Sequence, residues 1–251
     1  MMPGMIDIHC HLLPGIDDGA QTLEEALALA QAAVADGISH AVLTPHVFLG
    51  RFNNLRSSIE AEFQRFAAFL KVKNVPLQLS FAGEVRLDAE IISLVQRNEI
   101  PFLGECGGYR TMLLELPDAQ IPLGSITLVR HLMALGIRPV IAHPERNKAV
   151  MEKPERIGQF VDAGCFLQIT AGSLLGQFGP RVGAATDFLL NEGWVTAVAS
   201  DAHNLEGRRH RMREAWIVLE RRFDSEMALD LMRTGPAALC GIPVDVESVH
   251  E

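Results

Sequence analysis

Two histidines one residue apart, His9 and His11, stand near the start of the chain in Met5-Ile6-Asp7-Ile8-His9-Cys10-His11. Residues 5–8 read as a short buried strand, and alternate residues of an extended chain share a face, so both imidazoles address one point. Such a pair can grasp a divalent metal, and a Pro14-Gly15 turn then brings in the hard oxygens of Asp17 and Asp18. An H-x-H alone is a weak signal, but the chain adds to it: Thr44-Pro45-His46, Gly83-Glu84-Val85, His143-Pro144-Glu145-Arg146 and Ser200-Asp201-Ala202-His203-Asn204. Glu115, enclosed by four apolar residues in Met112-Leu113-Leu114-Glu115-Leu116, must be neutral, paired, exposed beyond the core or bound to a cation, because an unpaired buried charge is costly.

The candidate ligands are therefore His9, His11, Asp18, His46, Glu84, Glu115, His143, Asp201 and His203, with Asp17 competing for the place of Asp18. They are too many for one ion with an open position and suit two or three ions with about three protein ligands each. Imidazole and carboxylate without thiolate favour Mn²⁺, Zn²⁺, Fe or Mg²⁺.

These residues need elements to position them, and the patterning supplies an alternation. Thr22 and Glu25 form a capping-box pattern ahead of Leu23, Ala26, Leu27, Ala30, Ala33 and Val34 at helical spacing, ended by Gly37. A strand over 39–43 stops at Pro45, which places His46 just past its end. Further helices are expected over 55–73, 88–96, 126–135, 154–163 and 181–192, and further strands over 77–81, 112–116, 138–142, 165–169 and 195–199. A glycine-rich irregular stretch covers 100–110, a helical portion follows 203, and the last few residues are expected to fray. About seven strands, each followed by helix, make a parallel α/β sheet or barrel, and six of the seven end in His, Asp or Glu. Chemistry in such folds collects at the carboxyl ends of strands.

A chain of 251 residues, 48% hydrophobic with mean hydropathy +0.16, can bury a large core, and no linker, repeat or low-complexity run divides it, so residues 1–251 read as one domain. The net charge of -9 argues against nonspecific nucleic-acid binding, which needs a basic surface. Cys10, Cys106, Cys165 and Cys240 lie far apart without a C-x-x-C, which suggests neither a zinc knuckle nor a disulfide framework and fits a reducing cytoplasm. No signal sequence or membrane-length apolar run is read. The expectation is a cytoplasmic protein that does not insert into membranes.

The constellation closely resembles the polymerase and histidinol phosphatase (PHP) family of metal-dependent phosphoesterases. Within it, I-D-I-H-C-H-L-L-P-G-I-D-D-G-A, I-A-H-P-E-R and S-D-A-H-N-x-x-x-R resemble the CpsB/CapC (YwqE-type) protein-tyrosine phosphatases of capsule and exopolysaccharide synthesis, over residues 5 to about 240. The resemblance implies a distorted (β/α)₇ barrel of the PHP type, a manganese-preferring trinuclear centre with Asp18 as the ligand of the acidic pair, and a polysaccharide-synthesis tyrosine kinase as phosphotyrosine substrate. This sequence departs from some relatives at Pro45, and at Gln168-Ile169-Thr170 where others carry a more polar run.

The chemistry expected is in-line attack on phosphorus by hydroxide that the cations generate from water. No cysteine lies in a C-x5-R loop, so no phosphocysteine is needed. Arg146 and Arg208 are placed to hold phosphate oxygens, although Arg209 and Arg211 could substitute for the second. His210 is a candidate proton donor to the leaving oxygen, Glu115 a candidate bridge between ions, and Asp201 a ligand that could also accept a proton. Phe48, Phe52 and Phe102 flank the site loops and could receive an aromatic leaving group; His40, His131 and Cys10 read as packing residues. Competing functions are a small-molecule phosphatase of the histidinol-phosphate kind, a phosphodiesterase or exonuclease, and a noncatalytic kinase-binding regulator. The intact ligand set speaks against the last and the acidic charge against the nuclease.

Overall fold

The computed structural model describes residues 4–244; the end expected to fray lies outside them. Ten strands are formed among the described residues: β1 (Met5–Cys10), β2 (Ile38–Leu43), β3 (His46–Val47), β4 (Gln78–Phe81), β5 (Glu84–Arg86), β6 (Gly104–Cys106), β7 (Tyr109–Glu115), β8 (Ile137–Ala142), β9 (Phe166–Thr170) and β10 (Val195–Ala199). One parallel sheet has the order β1-β2-β4. The other runs β10-β9-β8-β7-β5-β3, parallel throughout, with β6 added antiparallel to β7.

The two sheets are one wall bent in two places. β2 passes into β3 through Thr44-Pro45 and β4 into β5 through Ala82-Gly83, and the Ala82 and Glu84 N–H groups donate to the Leu43 and Pro45 carbonyls across the break, at 2.9 and 3.1 Å. Pro45 has no N–H to give a ladder, so the bend falls where pairing is already interrupted. Counted this way there are seven strand positions, as the alternation predicts, and His46 opens its own short strand instead of trailing β2. The remaining seam, between β1 and β10, has no continuous ladder. Asp201 N–H donates to His9 O at 2.8 Å and His11 N–H to Ala202 O at 2.9 Å. The result is a distorted (β/α)₇ barrel whose last edge is held by a few bonds.

The helices cover this wall with the faces their periodicity foretells. Leu23–Asp36 buries Ala26, Leu29, Ala30 and Ala33; Thr22 caps it by accepting from Glu25 N–H, and Gly37, at φ 97°, ends it. Arg56–Val72 buries Ile59, Phe66 and Leu70. Two expectations change. The stretch over 100–110 holds β6 and a tight return through Gly107 and Gly108, both at positive φ, into a β7 that starts at Tyr109. The single helix over 154–163 is a 3₁₀ turn, Pro154–Ile157, followed by Gly158–Asp162, and a further short helix, Lys148–Glu152, precedes it.

Candidate metal centre

The nine candidate ligands converge past the carboxyl ends of β1, β2, β4, β7, β8 and β10, with His46 and Glu84 opening β3 and β5 there. Four overlapping groups form, each with ligand atoms within 4.8 Å of one another: His11, Asp18, His46 and His203; His9, His11 and Glu84; His9, His143 and Asp201; and His46, Glu84 and Glu115. Glu84 is the hub. Its Oε2 lies 3.2 Å from His9 Nε2, 3.3 Å from His11 Nε2 and 2.9 Å from His46 Nδ1, and its Oε1 lies 2.8 Å from His143 Nε2. Glu115 belongs to one group only and pairs with Arg86 at 2.9 Å. The central place among these side chains, expected of Glu115, is taken by Glu84, which stands where β5 restarts in the middle of the site.

Groups behind the ligands fix how the rings face. His11 Nδ1 meets Asp17 Oδ2 at 2.7 Å, His9 Nδ1 meets Gln168 Oε1 at 2.9 Å while that amide donates to Ile169 O, and His203 Nδ1 meets Asp201 O at 3.0 Å. All three rings therefore present Nε2 to the centre, and His9 Nε2 and His11 Nε2 face each other at 3.2 Å. Asp17 also accepts from the backbone N–H of Gly19 and His46, so it orients ligands. Its neighbour Asp18 reaches inward, 3.2 Å from His46 Nε2 and 3.4 Å from His203 Nε2.

The donor set fits divalent cations. Glu84 Oε2, Asp201 Oδ1 and His203 Nε2 are buried without a hydrogen-bond partner, all aimed at the cluster. Burial alone would depress the His9 and His11 imidazoles, but Glu84 and Asp201 hold His9 above its ordinary value and Asp17 holds His11 well above it. Burial likewise works against His46, yet Glu84 and Asp18 push it up to about 10. Glu84 and Asp201 resist burial and stay well below the carboxylate range, chiefly because of His9, while His203, desolvated and beside His11, drops to about 4. Protons here stand in for cations.

The backbone is strained at the same place. His143 (φ 32°) and Asp201 (φ 51°) take left-handed conformations that cost a non-glycine residue on the order of 1–3 kcal/mol. Each turns its side chain in where a strand ends.

Arg146 and Arg208, the arginines expected to hold phosphate, both face Asp201. Arg146 and Arg208 each donate to Asp201 Oδ2, the latter at 2.5 Å, and Arg146 lies over the Phe178 ring with its guanidinium carbon 4.8 Å from the centroid. Two guanidinium groups on Oδ2 make Asp201 a poor proton acceptor, leaving Oδ1 for the cluster. Arg208 Nε is buried without a partner. A cavity of about 110 Å³ lined by Leu116, Asp118, His143, Arg146 and Asn147 opens alongside.

His210 is not brought to the cluster. Its Nε2 donates to Leu29 O at 3.1 Å and its Nδ1 faces Ser200 Oγ at 3.3 Å, so the proton-donor role expected for it has no geometry here. Arg86 went unread as a site residue, Asp17 was read only as a rival of Asp18 for the ligand place, and Gln168 only as a departure from some relatives. Arg86 follows Glu84 by two and so shares its strand face, and Asp17 adjoins Asp18; for Gln168 the sequence signal was only its place in a strand lacking a terminal ligand. Of the aromatics, Phe52 stacks on His46 at 5.3 Å and Phe48 packs on Arg86, which makes them supports of the site wall.

A barrel of broken strands with buried histidines and carboxylates gathered at one end defines a metal-dependent hydrolase of the TIM-barrel type. The Escherichia coli phosphotriesterase homology protein shares the fold alone, at TM-score 0.61 and 12% identity over 94% of this chain and 99% of the other. More specifically, the chain belongs to the CpsB/CapC family of capsular polysaccharide synthesis, which matches residues 5–240. It is 35% identical to the tyrosine-protein phosphatase YwqE of Bacillus subtilis, over 89% of this chain and 87% of that one, and 31% identical to the putative tyrosine-protein phosphatase CapC of Staphylococcus aureus, over 84% and 81%. A chain from the crystal structures of YwqE from Bacillus subtilis and CpsB from Streptococcus pneumoniae, described as unique metal-dependent tyrosine phosphatases, superposes with TM-score 0.87 at 33% identity, covering 96% of each.

Proposed function

We propose that this protein is a metal-dependent protein-tyrosine phosphatase, that Mn²⁺ is its preferred ion, and that its substrate is a tyrosine kinase of capsular or exopolysaccharide synthesis in the cytoplasm. The observation that carries the reading is the placement of Glu84 amid His9, His11, His46 and His143. His11, Asp18, His46 and His203 would hold one ion, His9, His143 and Asp201 a second, and His46, Glu84 and Glu115 a third, with Glu84 also grouped with His9 and His11. Divalent cations in that nest supply Lewis-acid charge and lower the pKa of water.

The chain's own residues do the rest. Arg146 and Arg208 each spend one N–H on Asp201, and their other donors, including the unpartnered Arg208 Nε, are available to phosphoryl oxygens. Asp201 thereby ties the phosphate clamp to the ligand set. The exclusion of His210 is compatible with a phenolic leaving group, since a phenol of pKa about 10 departs without the strong proton donor an alkyl alcohol needs. Among the described residues no helix is long and apolar enough to cross a membrane.

Purified protein with Mn²⁺, assayed on a phosphotyrosyl peptide, histidinol phosphate and the nitrophenyl ester of thymidine monophosphate, tests the reading. Preferential release of phosphate from the peptide is expected. Cleavage of the diester alone would overturn it.

A further inference from the structure

The register of β1 is broken beside its ligands. Asp7 pairs with Ala41 and Cys10 with Leu43, so three residues of β1 advance against two of β2, and the extra residue lies at Ile8-His9. A bulge changes which way the chain's side chains face. Asp7 and His9 accordingly part company: the His9 ring joins the cluster, whereas the Asp7 carboxylate sits on the side of His210 and Leu29. Asp7 is fully buried and none of the ligand groups contains it.

Every contact of this carboxylate bears on the seam. Asp7 Oδ1 accepts from His9 N–H at 3.3 Å, across the bulge, and from Ser200 N–H at 2.9 Å; Oδ2 accepts the Ser200 hydroxyl at 2.5 Å, with His210 Nδ1 at 3.6 Å. Ser200 Oγ in turn accepts from Ala202 N–H at 3.1 Å, and His210 is fastened at its far side to Leu29 O. These bonds fall on the residues flanking Asp201, which has left-handed backbone and donates its own N–H to His9 O.

We propose that Asp7, Ser200 and His210 form a brace that positions the metal ligands: by pinning the β1 bulge and the loop after β10 it sets where His9 and Asp201 point. Asp7 is the positioning residue, Ser200 its link to the loop, and His210 the strut that seats both against helix Leu23–Asp36. The inference rests on the metal-dependent phosphatase reading. The seam is where the brace is needed, because a single parallel bridge, Cys10 with Ala202, is all the pairing that aligns β1 with the chain leaving β10.

The experiment is calorimetric titration of metal-free Asp7→Ala, Asp7→Asn, Ser200→Ala and His210→Phe proteins with Mn²⁺, well below their melting temperatures, beside kinetics on a phosphotyrosyl peptide at saturating Mn²⁺. Asp7→Ala should lose about 10- to 100-fold in Mn²⁺ affinity, the range found for groups that orient ligands. Asp7→Asn retains an oxygen for the His9 and Ser200 N–H groups and should recover most of that loss, which a role confined to charge would not allow. Turnover should fall in Ser200→Ala and His210→Phe with KM little changed, since Arg146 and Arg208 are untouched. If Asp7→Ala does not fold, Ser200→Ala and His210→Phe decide. Folded variants that all bind Mn²⁺ as tightly as wild type, while His143→Ala loses it, overturn the brace alone. A wild-type protein that neither binds Mn²⁺ nor hydrolyses the peptide overturns the reading beneath it.

Discussion

Asp201 joins two tasks in one carboxylate. Its Oδ1 is buried without a partner beside His9 and His11, and its Oδ2 takes both Arg146 and Arg208. Replacing Arg146 with alanine removes a phosphate donor and one of two anchors of Asp201, leaving Arg208 to hold it. We expect kcat/KM on a phosphotyrosyl peptide to fall about 10- to 100-fold, the worth of a charge-assisted hydrogen bond, with Mn²⁺ content near that of wild type. Steady-state kinetics with elemental analysis checks this, and an unchanged KM and kcat would remove Arg146 from the site. The imidazoles make a second prediction. His46, raised from 6.5 to about 10, must give up its proton to ligate, so cation binding releases protons below pH 10. Apparent Mn²⁺ affinity should climb from pH about 6.5 to about 8.5, by up to about tenfold per unit for each proton released. Titrations in buffers of different ionisation heat would show it. The sign is opposite for the metal-free fold: a raised histidine stabilises fully below its unfolded value of 6.5, and that contribution is lost as pH rises through about 10.

At the scale of elements, the site exists because strands stop, bend and bulge. β2 and β4 give way at Pro45 and Gly83 so that β3 and β5 begin on His46 and Glu84, and β1 bulges before its second histidine. The loop after β1 is as closely fitted. Gly19 N–H donates to Asp17 Oδ1, and a β-carbon on Gly19 would lie 2.1 Å from the His11 carbonyl oxygen. Backbone cannot yield as a flexible side chain would. Gly19→Ala should therefore displace the Asp17 turn, free the His11 ring, and weaken Mn²⁺ binding by about tenfold or more while also lowering the melting temperature. A variant with wild-type affinity would show that the turn does not set the ligand.

For the whole molecule, the candidate metal centre lies on a seam of the barrel wall. The candidate ligands, on or just past six strands, meet where the barrel wall is bent and where β1 and β10 share only a few bonds, so cations bound there would tie the wall together. A ligand at a hundred times its dissociation constant stabilises by about 2.7 kcal/mol, and each kcal/mol moves the melting temperature of a domain this size by about 2–4 °C. Mn²⁺ should thus raise the midpoint of the chelator-treated protein by about 5–10 °C for each site filled. Thermal melts across a Mn²⁺ series would measure it. Superimposable curves would mean that the wall holds without metal.

The sequence by itself determined the alternation of strand and helix, the seven strand positions and the types of side chain that gather at the site, because hydrophobic period and strand-end polarity are local properties. His9, His11, His143, Asp201 and His203 are legible for that reason: each sits at the end of an apolar run. What only the tertiary structure decided depends on residues far apart in the chain. That Glu84 and not Glu115 is the hub follows from β5 restarting between β3 and β7, and Glu115 is claimed instead by Arg86. The family resemblance already favoured Asp18 of the acidic pair, but that Asp17 turns away to orient His11 depends on how the turn points the two adjacent carboxylates. His210, close in sequence to His203, lies behind the wall because the loop after β10 folds it against Leu29, a carbonyl 181 residues away. Periodicity reports which face a residue occupies on its own element, and only packing reports what stands opposite that face.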